Sequence, residues 1–166
     1  MFILFPHVIF HRITDIPFSF FKDKGIDTII LDVDNTLTTH DNPVPAEGVL
    51  EWLRGAEKEG LKLIILSNNS EERVLPFAKL LSLDFEAKGK KPLPGGFKRV
   101  MKKLDKKPSQ CCLIGDQLLT DVLGGRLAGV FCIMVDYIEK EKTNFFKFKR
   151  AFERVVMRFY HHERLS

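Results

Sequence analysis

The chain has 166 residues, 45% of them hydrophobic and 29% charged, which is the composition of an ordinary globular protein and excludes a fibrous repeat or a mostly disordered chain. Its formal net charge of +4 is modest, and no apolar run approaches the length that spans a bilayer, since Met1 to Phe5 is broken by Pro6, His7, His11 and Arg12. That start also lacks the basic lead and small-residue cleavage site of a secretory signal, and Cys111, Cys112 and Cys132 lack the paired spacing of a zinc site or disulfide framework, so a cytoplasmic protein with buried thiols is expected.

Taken in order, the chain opens with an aromatic segment, residues 1–26, that holds six of its fifteen phenylalanines. Residues 27–136 then alternate apolar runs with helical patterns, the signature of βα units and a parallel sheet. Thr28 to Leu31 reads as the first strand. Pro45 and Gly60 bracket a helix over 46–59, and Leu61 to Leu66 is the second strand. Asn69 or Ser70 can cap a helix whose inner face carries Val74, Phe77, Ala78 and Leu81, in spite of Pro76. Leu83 to Glu86 is a short third strand, Gly95 to Leu104 a basic helix, Cys111 to Ile114 a strand, Leu118 to Leu127 a helix stopped by Gly129, and Val130 to Val135 the last strand. Right-handed crossovers between about five such strands give a three-layer, doubly wound α/β domain, Rossmann-like in plan, over residues 1–166. In residues 137–166, Phe145, Phe148, Phe152, Val156 and Phe159 fall on one helical stripe and Lys147, Arg150, Arg154 and Arg158 on another, the pattern of a basic amphipathic helix.

Asp32 and Asp34 stand where the first strand gives way to a loop, with Thr36 two positions on. Side chains at i and i+2 of a strand point the same way, so two carboxylates are aimed into one small space. Such a pair needs a cation or a retained proton, and that suits metal binding together with acid/base work. In doubly wound sheets ligands sit beyond the carboxyl ends of the strands, and Ser67 and Asp116 follow two further strands to that same rim. Lys91 lies in a loop, Lys88-Gly-Lys-Lys-Pro92, ahead of the basic helix. The lysines and Arg99 of residues 88–107 favour an anionic ligand, although a solvated helix face accounts for most of them and a nucleic-acid partner is not expected.

Four segments in this order, Asp32-Val33-Asp34-Asn35-Thr36, then Ser67, then Lys91-Pro92, then Gly115-Asp116 with Asp121, resemble the haloacid dehalogenase superfamily of aspartate-dependent phosphatases. The resemblance implies a phosphomonoester hydrolase that works through an aspartyl phosphate. Asp32 is then the nucleophile, Asp34 the acid and base, and Mg2+ the cofactor, held by Asp32, Asp116 and the main-chain carbonyl of Asp34. Ser67 and Lys91 serve the phosphate, Thr36 and Asn68 line the substrate, and Asp121 orients Lys91 or a metal-bound water from behind. His40 is more plausibly a solvated loop residue than a substrate contact.

About thirty residues separate Asp34 from Ser67 and fewer separate Ser67 from Lys91, so neither gap holds the inserted cap domain of many such enzymes. An open site suits a phosphate presented on something large. Across nearly its full length the chain resembles the YqeG-like subfamily, whose members include phosphatidylglycerophosphate phosphatases, and that resemblance implies a lipid headgroup as substrate. The aromatic termini would then touch an anionic membrane at its inner face, unless they fold onto the sheet. A soluble nucleotide or sugar phosphatase and a non-catalytic phosphate- or RNA-binding module are the competing readings, and a homo-oligomer is compatible with any of them.

Overall fold

The computed structural model describes residues 3–40, 42–139, 151–153, 155–160 and 164–165. Seven parallel strands form its sheet: β1 Val8–Phe10, β2 Thr28–Leu31, β3 Lys62–Leu66, β4 Asp84–Glu86, β5 Cys111–Gly115, β6 Phe131–Val135 and β7 Arg164–Leu165. Their spatial order is β4-β3-β2-β5-β6-β1-β7, so β2 is flanked on both sides and its neighbours β3 and β5 put their own carboxyl ends beside its own. The helices around the sheet include α1 Phe18–Asp23, α2 Val49–Lys58, α3 Glu71–Leu81, α4 Gly95–Leu104 and α5 Leu123–Ala128.

Strand alternation sorts the core into two layers. Ile29, Leu31, Leu63, Ile65 and Ile114 pack with α1, α2 and α3, whereas Ile30, Ile64, Leu66 and Leu113 pack with α4 and the segment leading into α5. All four residues of β2 are buried, as a strand covered on both faces by helices requires. α3 tolerates Pro76 because it is an exposed position while Val74, Phe77, Ala78 and Leu81 face inward.

The sheet has two more strands than the five expected. β1 was hidden because three apolar residues between His7 and His11 carry no usable period, but it pairs with β6 from Val8 opposite Ile133 to Phe10 opposite Val135. The N-terminal aromatic segment is therefore part of the core: Phe5, Phe10 and Phe21 are buried, and Phe18 and Phe20 pack against them. The helix expected over 118–127 begins as a wider π turn, Leu118–Val122, and becomes α-helical only in α5. Phe145, Phe148, Lys147, Arg150 and Arg154 lie outside the described residues. Residues 151–153 and 155–157 are helical, with Val156 and Met157 packed on the α4 layer and Phe152, Val155 and Phe159 exposed.

Part of the basic run is neutralised in place. Arg99 pairs with Glu86 at 2.5 Å, Lys103 with Asp84 at 3.5 Å and Lys106 with Asp27 at 2.6 Å. Burial would raise Asp27, but hydrogen bonds from Lys106, Thr28 and Gln110 outweigh it and hold its carboxyl below the usual range. All three cysteines are free and buried, and burial pushes Cys111 up to about 11 and Cys132 up to about 12, so neither is a reactive thiolate.

Candidate active site

Three strands and one loop meet at the carboxyl edge. Asp32 leaves β2 still tied to the sheet, its N–H donating to Ile114 O at 3.0 Å. Ser67 leaves β3 with its N–H on Glu86 O, also 3.0 Å. Asp116 leaves β5 and is fully buried. The Lys91 loop is laced to the Ser67 loop through Gly89 N–H to Ser67 O at 2.8 Å and Lys88 N–H to Asn69 O at 2.9 Å.

Lys91 is the centre of this arrangement. Its Nζ lies 2.6 Å from Asp32 Oδ1 and 2.6 Å from Asp121 Oδ1, with the ammonium almost wholly buried. Lys88 and Lys90, the rival lysines in the same loop, are both exposed. Burial alone would lower Lys91, but the carboxylates of Asp121 and Asp32 raise it above the ordinary lysine value, so it is permanently charged. Burial and the neighbouring Asp121 carboxylate push Asp32 up to about 7, against the opposing pull of Lys91.

Carboxylate oxygens of Asp32, Asp116 and Asp121 lie within 4.8 Å of one another, all buried. An oxygen-only set of this kind fits a hard divalent cation. Asp121 is held firmly through both oxygens, Oδ1 by Lys91 and Oδ2 by the Gln117 N–H at 3.1 Å, whereas Oδ2 of Asp32 accepts a long 3.4 Å bond from Thr36, so Asp32 and Asp116 are the better-placed ligands. The Asp34 carboxylate is not part of that cluster. Oδ2 accepts from Asn69 Nδ2 at 2.7 Å, and Oδ1 faces His40 Nδ1 at 3.4 Å and Arg73 Nη2 at 3.6 Å. Only its main-chain carbonyl remains for a metal.

Thr36 is buried with Oγ1 donating to Asp32 Oδ2 at 3.4 Å. Ser67 Oγ accepts from the Asn69 N–H at 3.1 Å. Asn68, expected at the substrate, instead fixes the main chain of Lys91. Its Oδ1 accepts from Lys91 N–H at 2.6 Å and its Nδ2 donates to Lys91 O at 3.0 Å. Asn35, at φ 61, ties the segment after β6 to the catalytic loop, its Oδ1 accepting from the Glu139 N–H at 3.1 Å. Sequence reasoning missed Asn69 and Arg73. The polar run Ser67 to Ser70 signals a loop, but no spacing rule reveals that its third residue reaches back 35 positions to Asp34.

The π turn has a local cause. It brings the buried Asp121 back under β5, where Gly115 has no side chain; a Cβ on Gly115 would fall 2.7 Å from both Cβ and Cγ of Asp121. A Gly115→Ala variant is expected to displace Asp121 from Lys91, to destabilise the fold by about 1–3 kcal/mol, and to lower kcat more than it raises KM; urea unfolding and steady-state kinetics measure both.

Two openings border the loop after β2, one at Thr36 and one at Asp34. One, about 300 Å³, runs from Thr36 past His11, Arg12 and Tyr137, where His11 Nδ1 pairs with Asp136 at 2.9 Å. The other, about 270 Å³, begins at Asp34 and follows α3.

A family model for haloacid dehalogenase-like hydrolases matches residues 39–129. The chain is also 37% identical over 136 residues to the "Probable phosphatase YqeG" of Bacillus subtilis, covering 82% of this chain and 79% of that one. This chain belongs to the haloacid dehalogenase-like hydrolase family. It is a phosphatase of that family. Pyrophosphatase PpaX of Halalkalibacterium halodurans is 32% identical over 108 residues, 59% of this chain and 50% of that protein. Among solved structures, an uncharacterized protein from Listeria monocytogenes serotype 4b superposes with a TM-score of 0.60 at 18% identity, over 71% of this chain and 85% of that chain, and shares the fold. The family match starts at residue 39 and so does not include Asp32 or Asp34.

Proposed function

We propose that this phosphatase, acting as one domain over residues 1–166, cleaves a phosphomonoester through an aspartyl phosphate on Asp32. One Asp32 oxygen attacks phosphorus while the bond from phosphorus to the alcohol oxygen breaks, and the proton of Asp34 goes to that oxygen to release the alcohol. Asp34, now a carboxylate, takes a proton from water, whose oxygen attacks phosphorus; the bond to Asp32 breaks and inorganic phosphate leaves. Lys91 balances the charge of the phosphoryl oxygens, Asp121 holds Lys91, Ser67 and Thr36 donate from their hydroxyls, and Asn68 and Asn69 hold Lys91 and Asp34 in register. A magnesium ion between Asp32, Asp116 and the carbonyl of Asp34 would keep Asp32 ionised and neutralise phosphate charge. The observation that carries this reading is the separation of roles in space: Asp32 is bonded to the buried Lys91, while Asp34, two residues on, is held apart by Asn69 at the open mouth.

The substrate we favour is phosphatidylglycerophosphate, met from the cytoplasm at the inner membrane face. No inserted domain encloses the site among the described residues, and large apolar side chains close in chain position to its loops, Val44, Leu93, Tyr137 and Ile138, are exposed. No helix of the described residues is long and apolar enough to cross a membrane, so contact would be peripheral. Among the described residues, Phe5, Phe10 and Phe21 are buried and cannot supply it, whereas this rim and the exposed Phe152, Val155 and Phe159 can. The test is phosphate release, with Mg2+, from phosphatidylglycerophosphate in vesicles beside a panel of soluble sugar and nucleotide monoesters. Preference for the lipid by at least about tenfold in kcat/KM supports the reading; equal or faster turnover of a soluble ester removes it.

A further inference from the structure

Asp34 faces the cleft along α3, on the side away from Thr36 and the groove of His11 and Tyr137. With Asp34 protonating the departing oxygen, the alcohol half of the substrate must occupy this cleft, an assignment that rests on the proposed aspartyl-phosphate mechanism. At about 270 Å³ the cleft falls just short of the roughly 300 Å³ at which whole small-molecule pockets begin, so it holds the part of the alcohol next to phosphorus and leaves the remainder in solvent.

The lining is specific in its chemistry. Pro43, Val74 and Phe77 give it an apolar wall, and Arg73 is the basic side chain among its lining residues. Arg73 stands in the first turn of α3, its side chain 39% exposed, with Nη2 3.6 Å from Asp34 Oδ1. A long, half-exposed ion pair of this kind is weak, and the planar guanidinium can exchange it for a better-matched anion. The transferred phosphoryl group does not need this cation, because Lys91 already serves Asp32 from the opposite, buried side. With no inserted domain over the site among the described residues, discrimination among alcohols falls to the core itself.

We propose that Arg73 selects the leaving alcohol by pairing with a second anionic group, a carboxylate or a phosphodiester, carried a few bonds from the departing oxygen. The carbon skeleton between the two charged ends lies along Pro43, Val74 and Phe77. Arg suits this role better than Lys, since its fork matches carboxylate and phosphodiester oxygens two at a time.

Three soluble esters test it in the presence of Mg2+: glycerol 3-phosphate, whose alcohol is neutral; 3-phosphoglycerate, whose alcohol carries a carboxylate; and deacylated phosphatidylglycerophosphate, whose alcohol carries a phosphodiester. The wild-type enzyme should prefer at least one anionic alcohol. Arg73→Gln should lower kcat/KM for that ester by about 10- to 100-fold more than for glycerol 3-phosphate, mainly through KM, the size of a lost charge-assisted contact. Arg73→Lys should recover part of the loss. Which anionic ester suffers tells carboxylate from phosphodiester. An equal loss on all three esters overturns the proposal, because Arg73 then serves the phosphoryl group or the fold; no loss on any of them overturns it equally. Asp32→Asn run alongside separates the levels: an inert variant keeps the underlying reading, and turnover in it sinks that reading before Arg73 is at issue.

Discussion

An Asp32→Asn variant will lose phosphatase activity by on the order of 10⁴-fold or more, the scale seen when a residue that bonds to the reacting group is removed, and yet will be the more stable protein at pH 8 in the absence of metal. The carboxyl of Asp32 is buried and its neighbour Asp121 repels a charge on it, so it ionises at about 7 in the folded chain against an ordinary 3.8. Between those values the folded state holds a proton that the unfolded state has lost. The contribution of Asp32 is thus fully present below pH 4 and drains away as pH rises through about 7. At 1.36 kcal/mol per unit the loss is on the order of 4 kcal/mol. Asparagine does not titrate. Urea unfolding in EDTA should show the gap between wild type and variant widening from pH 5 to pH 8, with saturating Mg2+ narrowing it. Identical pH profiles would mean that Asp32 is already ionised and fully compensated by Lys91.

Lys91→Met will act in the opposite sense. Removing the ammonium leaves the carboxylates of Asp32 and Asp121 facing one another in a dry site, and loss of one partner from a buried ionic cluster costs about 3–5 kcal/mol. The expected result is a large fall in the urea midpoint at pH 8, a smaller one at pH 5 where Asp32 carries a proton, and activity below detection. Adding Asp32→Asn to Lys91→Met should restore part of the lost stability, because the double variant no longer buries two like charges. Strict additivity of the two changes would show that Lys91 and Asp32 do not interact in solution.

Much of this molecule was legible in the sequence, and the reason differs by element. β2, β3, β5 and β6 are apolar runs covered on both faces, and α2, α3 and α4 carry clear inward stripes, so pattern alone placed them to within a few residues. β1 was not legible because three residues give no period and its partner β6 lies more than 120 positions away. The π turn escaped notice for a different reason: a helical pattern fixes which side chains face inward, whereas the extra residue per turn is set by where Asp121 must stand against Gly115. At the site, Asp32, Ser67, Lys91 and Asp116 were found because each follows a strand or stands in a recognisable loop. Asn68, Asn69 and Arg73 are ordinary loop and helix residues until the fold sets them beside Lys91 and Asp34.

The pairing of β1 with β6 also governs how the chain is made. Val8 to Phe10 leave the ribosome early, yet the edge that covers them, Ile133 to Val135, follows 125 residues later, a wait of roughly 6 to 25 seconds at ordinary elongation rates. During that interval the apolar strand β1 has no β6 to pair with. A version permuted so that residues 5–26 follow β6 would bring the two strands of this pair close together in the chain and remove that wait.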